Sequence, residues 1–254
     1  MTEGAYLYPI DAAYERSFRA KVVARPPGAV VLDRTYFYPV GGGQPSDQGW
    51  LVGGAGARYP VSEVRRSGES IFHQIGRPRP PGAPPLAPGD EVAGEIDWER
   101  RYRHMRLHTA QHFVSAVVFS RTGRRTRAAT MKGDRATIEL EGALPASSEW
   151  SSVEEAVRSE LKTPRAVRIE LVPRSEWDRH PSERSGLVPL SPTVDPVRVL
   201  VIEGVDRCPC GGTHLRSTGE IGPMELVPPV PQAAGVGIGL RLLGVSDHST
   251  RVTP

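Results

Sequence analysis

The chain has 254 residues and carries 27 glycines and 25 prolines, yet the stretch from Trp98 to Arg121 contains neither. Glycine and proline are the residues a helix interior tolerates least, so this stretch can form a long helix while the rest is cut into short pieces. Leu107, Ala110, Phe113, Val114, Val117 and Val118 recur at helical spacing, and Gly123 stops the run. Upstream the pattern is different. Arg19–Ala24, Ala29–Asp33, Arg58–Arg65, Ser70–Ile75 and Glu91–Ile96 are short β-branched runs between Gly/Pro turns, which predicts a small β-barrel or sandwich. Residues 76–90 hold six prolines and read as a surface loop. Downstream, Thr137–Leu140, Arg168–Val172, Val197–Glu203, Ile221–Val227 and Ile238–Val245 read as strands. Ser152–Leu161 reads as a second helix, and residues 181–196 as a loop. The expected architecture is α+β: a β-barrel domain over residues 1–96, then an α/β or α+β domain over residues 97–254.

Composition narrows the functional classes. No apolar run approaches the ~18 residues of a membrane helix, and Met1–Tyr6 has no basic, signal-like start. A soluble cytoplasmic protein is therefore expected, with no membrane partner. The two cysteines, Cys208 and Cys210, flank Pro209. Residues so close cannot readily adopt disulfide geometry, so they are expected to act as thiols or thiolates. The formal net charge is +3, and only three of the 32 basic residues are lysine. An arginine excess suits phosphate contacts and is equally the mark of a compositional bias.

Three local features carry chemistry. In His108-Thr109-Ala110-Gln111-His112, positions i and i+4 of a helix put two imidazoles on one face, where both can reach one ion. Thr109 stands where a zinc protease would need glutamate, which argues against that class. His104 continues the stripe, leaving a His104–His108 pairing open, and a polar helix face without metal is the plain alternative. In Cys208-Pro209-Cys210-Gly211-Gly212-Thr213-His214, a thiolate and an imidazole are presented from one tight loop. Joined to the helix pair, it makes a tetrahedral N/S set of the kind zinc prefers, with Cys208 competing with Cys210 for the thiolate place. In Phe37-Tyr38-Pro39-Val40-Gly41-Gly42-Gly43-Gln44, three glycines allow close backbone approach to a ligand, and Gln44 offers both donor and acceptor. No Lys-Ser/Thr follows, so this is not a phosphate-binding loop.

Taken together and in order, these stretches resemble the free-standing alanyl-tRNA editing proteins of the AlaX family, in particular their medium-length class. The resemblance is carried by Thr35–Pro39 with Gly41–Gln44, by Arg106–His112, by Cys210–His214 and by Thr218-Gly219-Glu220-Ile221-Gly222. It implies a translation-factor-like N-terminal barrel and a zinc-binding domain like the editing domains of class II threonyl- and alanyl-tRNA synthetases. It implies one Zn2+ held by His108, His112, Cys210 and His214, with His104 left out. The implied reaction is hydrolysis of the ester of mischarged tRNA(Ala), chiefly Ser-tRNA(Ala) and also Gly-tRNA(Ala). Val40 departs from the acidic residue many relatives carry there.

Zinc can polarise a carbonyl, position substrate or activate a water, and an aminoacyl ester asks for no protein nucleophile. Gln44, Thr109, Gly212 and Thr213 are the expected catalytic residues, with backbone N–H groups of Gly211–Thr213 available to the ester oxygen. An apolar pocket cannot strongly reject a substrate for one extra hydroxyl, so a hydrogen-bonding group should greet the serine side chain. Thr126, Thr130 and Thr137 are the candidates beside Gln44. Arg100, Arg101, Arg103, Arg106, Arg124, Arg125, Arg127 and Lys132 surround the helix in sequence and read either as a solvated face or as a platform for the tRNA acceptor stem. The alternative function is a non-catalytic tRNA-binding module with a structural zinc.

Overall fold

The computed structural model describes residues 3–4, 10–78, 80–179, 186, 190–233 and 235–244. The chain divides into two compact units, Met1–Arg103 and His104–Pro254. The first contains β1 (Glu3–Gly4), β2 (Ser17–Ala24), β3 (Ala29–Leu32), β4 (Arg34–Thr35), β5 (Gly49–Val52), β6 (Arg58–Ser67), β7 (Ser70–Ile75) and β8 (Glu91–Ile96). Helix α1 (Trp98–Thr122) follows, and its body from His104 onward belongs to the second unit. That unit adds β9 (Thr126–Lys132), β10 (Arg135–Leu140), α2 (Ser147–Glu160), β11 (Val167–Val172), α3 (Arg174–Trp177), β12 (Val197–Ile202), β13 (Asp206–Pro209), β14 (Met224–Gln232) and β15 (Gly235–Leu242).

In the first unit, six strands close a barrel in the order β2-β3-β7-β6-β5-β8. Closure leaves the sheet no open edge. Alternation along β2 sends Phe18, Ala20 and Val22 into the core, where they meet Val30, Leu32, Leu51, Tyr59, Val64, Ile71 and Val92. A Cβ on Gly94 of β8 would sit 2.4 Å from the Phe18 ring, so this position needs glycine to let the aromatic lie flat against the wall. The barrel encloses one imidazole, His73, which is fully buried between Thr35 Oγ1 (2.8 Å) and the Val30 carbonyl (3.3 Å). Burial pushes its pKa down to about 4.

The glycine-rich stretch of this unit is a nested turn. Gly42 and Gly43 both have positive φ, 56° and 77°, the conformation of a type I′ turn and one that side-chain-bearing residues resist. Gly41 and Gln44 exchange backbone hydrogen bonds across it, and the Tyr38 hydroxyl donates to the Gly41 carbonyl. One layer down, Asp47 N–H donates to the Tyr38 carbonyl, and Tyr38 N–H donates to the Asp47 carboxylate. That carboxylate takes a bidentate bond from Arg101, whose guanidinium also donates to the Ala13 and Tyr36 carbonyls. Both partners of this ion pair have no solvent exposure. Arg101, counted with the basic platform from sequence, is therefore a buried strut and offers nothing to a phosphate.

In the second unit, β14-β15-β10-β9 and β11-β12-β13 form two sheets whose strand pairs are all antiparallel. Of the α/β and α+β readings open for that domain, the antiparallel pairing fits α+β, with the hairpins β9–β10, β12–β13 and β14–β15 inside the sheets and α2 on the connection from β10 to β11. From Leu107 to Val118 helix α1 is buried at every position, so it is a core helix rather than one with a solvent-facing polar stripe. Gly123, with φ 71°, caps it. Helix α2 begins earlier than expected because Trp150 adds to the buried face of Val153, Ala156 and Val157. Strand β14 runs on through Pro228, Pro229 and Pro231, which had been expected to end it. It tolerates them because it is an edge strand with a register shift between Val227 and Val230. Residues 181–185 and 187–189 of the expected loop at 181–196, and Val245, lie outside the described residues. Among the described residues, no helix is long and apolar enough to cross a membrane.

Candidate metal centre

Helix α1 carries His108 and His112 one turn apart, with ring centroids 5.3 Å from each other. The opposing donors come from the loop that leaves β13. Cys210 N–H donates to the Arg198 carbonyl (3.1 Å), and Arg198 donates back to the Cys210 carbonyl (2.5 Å), so the loop starts tethered to β12. Gly211 and Gly212 then turn the chain tightly enough to bring His214 beside Cys210. Cys210 Sγ lies 3.3 Å from His108 Nε2 and 3.2 Å from His214 Nε2. Donor atoms of His108, His112, Cys210 and His214 all lie within 4.8 Å of one another. Bond lengths of about 2.0–2.3 Å around a tetrahedral zinc put neighbouring donors roughly 3.3–3.8 Å apart, so the four fit that ion in number, type and spacing. His104 is outside the group, and so is Cys208.

The electrostatics suit a cation. Burial alone would raise the Cys210 pKa, but the imidazoles of His108, His214 and His112 outweigh it and hold the thiol well below its ordinary range. Burial likewise depresses His214, to about 3, against the pull of the sulfur. A neutral imidazole and a thiolate are the forms that bind metal. His112 goes the other way. Burial opposes its protonation, yet Cys210 and the carboxylate of Asp206 raise it well above its usual value. Cys208, buried beside this histidine, has its thiol pKa pushed up by burial, and with His112 and Asp206 it makes a second group of donor atoms within 4.8 Å of one another.

The remaining residues nominated from sequence are placed as follows. Gly212 N–H donates to Cys210 Sγ (3.3 Å) and so holds the sulfur, while Thr213 is buried. Gly211 is exposed, with no described atom within 4 Å of where its Cβ would be, and Cys210 is the half-buried member of the cluster. Thr109 is fully buried behind His214: its Oγ1 accepts from Leu215 N–H (3.1 Å) and lies 3.4 Å from His214 Nδ1. Thr126 donates to Ser115 Oγ (2.8 Å), which also takes a bond from Gln111 Nε2. Thr130 and Thr137 face each other across the β9–β10 pair. Gln44 sits buried in the first unit at the base of the glycine turn.

The Thr218–Gly222 signature is structural. Ser217 and Glu220 form a capping box around a single 3₁₀ turn, Thr218 Oγ1 accepts from Arg165 N–H, and Arg106 donates to the Ile221 carbonyl. Asp206, 3.3 Å from His112 Nδ1, was missed from sequence. The strand that carries it, β13, lies beyond the predicted strand Val197–Glu203, and an acidic residue two places before Cys208 would have been the signal.

Two family models match this chain: tRNA synthetases class II (A) over residues 10–100, and the threonyl and alanyl tRNA synthetase second additional domain over residues 197–249. The chain is 37% identical over 224 residues to the alanyl-tRNA editing protein AlaX-M of Methanosarcina mazei, covering 87% of this chain and 88% of that protein. The protein of the same name from Methanosarcina barkeri is 35% identical over 230 residues, covering 89% and 93%. The alanine–tRNA ligase of Pyrobaculum neutrophilum is 36% identical over 229 residues, which are 85% of this chain and 24% of the ligase.

Proposed function

The chain belongs to the AlaX family of alanyl-tRNA editing proteins, and on that premise we propose that it is a trans-editing hydrolase that deacylates mischarged tRNA(Ala), chiefly Ser-tRNA(Ala) and also Gly-tRNA(Ala). The observation that carries the reading is the four-donor cluster: three imidazoles and a depressed thiol within reach of one ion. Four protein donors fill a tetrahedral zinc, so catalysis needs a further, expandable position, and we place it beside the half-buried Cys210 and the exposed Gly211. Zinc held by His108, His112, Cys210 and His214 supplies a Lewis acid that polarises a carbonyl or lowers the pKa of a bound water.

The chain's own residues do the rest. Gly211, without a side chain, lets the ester come close to the cluster. Gly212 N–H fixes the sulfur, and Thr213 stiffens the loop between Cys210 and His214. Arg127 and Lys132, exposed on β9, remain from the basic platform to meet phosphates of the acceptor stem. Arg100, Arg106 and Arg124 are already engaged by Ser46, Ile221 and Glu149.

The test is deacylation of Ser-, Gly- and correctly charged Ala-tRNA(Ala) by the wild type, His108→Ala and Cys210→Ala, with zinc content measured in each. Wild type should clear Ser-tRNA(Ala) and spare Ala-tRNA(Ala), and both variants should lose zinc and activity together. If both survive in the variants, the site assignment is wrong. A zinc-loaded wild type that binds tRNA(Ala) but hydrolyses none of the three would instead be a binding module.

A further inference from the structure

We infer that Asp206 and Thr109 form a second layer around the metal centre, Asp206 by holding a proton on Nδ1 of His112 and Thr109 by fixing the orientation of the His214 ring. The inference rests on the metal reading above and concerns what stands behind the ligands. On β13 the burial alternates, so Asp206 and Cys208 face inward while Arg207 and Pro209 turn outward. The β12–β13 hairpin, through the register pair Ile202 and Asp206, sets the carboxylate against the ring of His112. Its Oδ2 is 3.3 Å from Nδ1, with side-chain exposures of 7% for the histidine and 3% for the aspartate.

A carboxylate accepts and cannot donate. The proton must therefore sit on Nδ1, which leaves Nε2 of His112 as the nitrogen with a lone pair. At His214 the partner is a hydroxyl. Thr109 Oγ1 accepts from Leu215 N–H and stands 3.4 Å from Nδ1, while Nε2 faces Cys210 Sγ at 3.2 Å. A hydroxyl both donates and accepts, so Asp206 selects the tautomer of His112, and Thr109 holds the His214 ring with Nε2 turned toward the sulfur. Thr109 is on this account a positioning residue one layer removed from substrate, and its place in the His-Thr-Ala-Gln-His run follows from pointing at the incoming loop. Partners of this kind fix ring orientation and raise ligand basicity, and losing one typically weakens metal binding by about 10- to 100-fold.

The experiment is zinc affinity by competition with a chromophoric chelator, together with thermal unfolding of the metal-free protein, for wild type, Asp206→Ala, Asp206→Asn, Thr109→Val and Thr109→Ser. Asp206→Ala and Thr109→Val should each bind zinc about 10- to 100-fold more weakly. Asp206→Asn, nearly isosteric and still an acceptor, should fall between Asp206→Ala and wild type, and Thr109→Ser should recover most of the affinity. Variants that lower the melting temperature of the metal-free protein yet bind zinc as wild type does would show a structural role only and overturn the inference. Should the wild type itself take up no zinc, the metal reading fails and the second layer with it.

Discussion

Arg101→Met tests how the first turn of α1 is held. The guanidinium is wholly buried and serves three acceptors: the Asp47 carboxylate and the carbonyls of Ala13 and Tyr36. Methionine fills much of the same volume and donates nothing. Asp47 would then be left as a charge in the interior without its paired guanidinium, keeping Tyr38 N–H and the pull of Arg100. Breaking a buried pair from one side costs about 3–5 kcal/mol, a factor of roughly 10²–10⁴ in the folding constant at about 1.4 kcal/mol per tenfold. Against a domain stability of about 5–15 kcal/mol this is a large share. The assay is native-state hydrogen exchange read on the amides of β2 to β8, which reports the barrel unit apart from the other. Protection there should drop by the stated factor, and the Gly41–Gln44 turn, which rests on the Tyr38–Asp47 pairing, should lose its protection first. The companion variant Arg101→Met/Asp47→Leu removes both charges and should recover most of the loss, because two apolar groups need no partner. A single variant within about 1 kcal/mol of wild type, or a double variant as unstable as the two single changes added, would refute the reasoning.

Three further outcomes follow from the same structure. His73 has a folded pKa of about 4 against about 6.5 unfolded, so the unfolded chain binds the extra proton between those values. Its contribution is complete above about pH 6.5 and is lost as pH falls toward 4, to the extent of about 3 kcal/mol; His73→Gln should flatten that part of the pH–stability curve relative to wild type. Chelation should abolish deacylation of Ser-tRNA(Ala) and lower the melting temperature, with both restored by zinc and neither by magnesium, whose preference is for oxygen ligands. Gly94→Ala, whose Cβ would meet the Phe18 ring at 2.4 Å, should destabilise the barrel by about 1–3 kcal/mol by overpacking, with a milder loss in Gly94→Ala/Phe18→Leu in chemical denaturation.

What could be read from sequence divides by how far a residue's partner lies along the chain. His108 and His112 are one helical turn apart, and Cys210 and His214 share one loop, so each half of the candidate metal set is written locally; spacing nominated both halves, while the choice over His104 and Cys208 came with the family resemblance. The long helix was legible for the same reason: freedom from Gly and Pro is a property of neighbours. Arg101 was misread because its charge is local while its partner, Asp47, lies 54 positions away. A run of arginines looks alike whether solvated or buried. Strand β5 was missed because Gly49–Val52 is short and follows a glycine turn. The prolines of β14 misled because tolerance depends on being at a sheet edge, which is a fact about strand order.

Asp206 is the most telling case. It lies 94 positions from His112, and only the β12–β13 register makes it a neighbour. The alternation of β13 has period two, so a slip of one residue would turn Asp206 and Cys208 outward and bring Arg207 and Pro209 against the helix. A cation would then face the imidazole where the acceptor now stands. The hairpin register is therefore as much a part of the metal centre as the ligands are, and it is set by the turn between Ile202 and Asp206, where Gly204 has φ 69° and Val205 N–H donates to the Ile202 carbonyl.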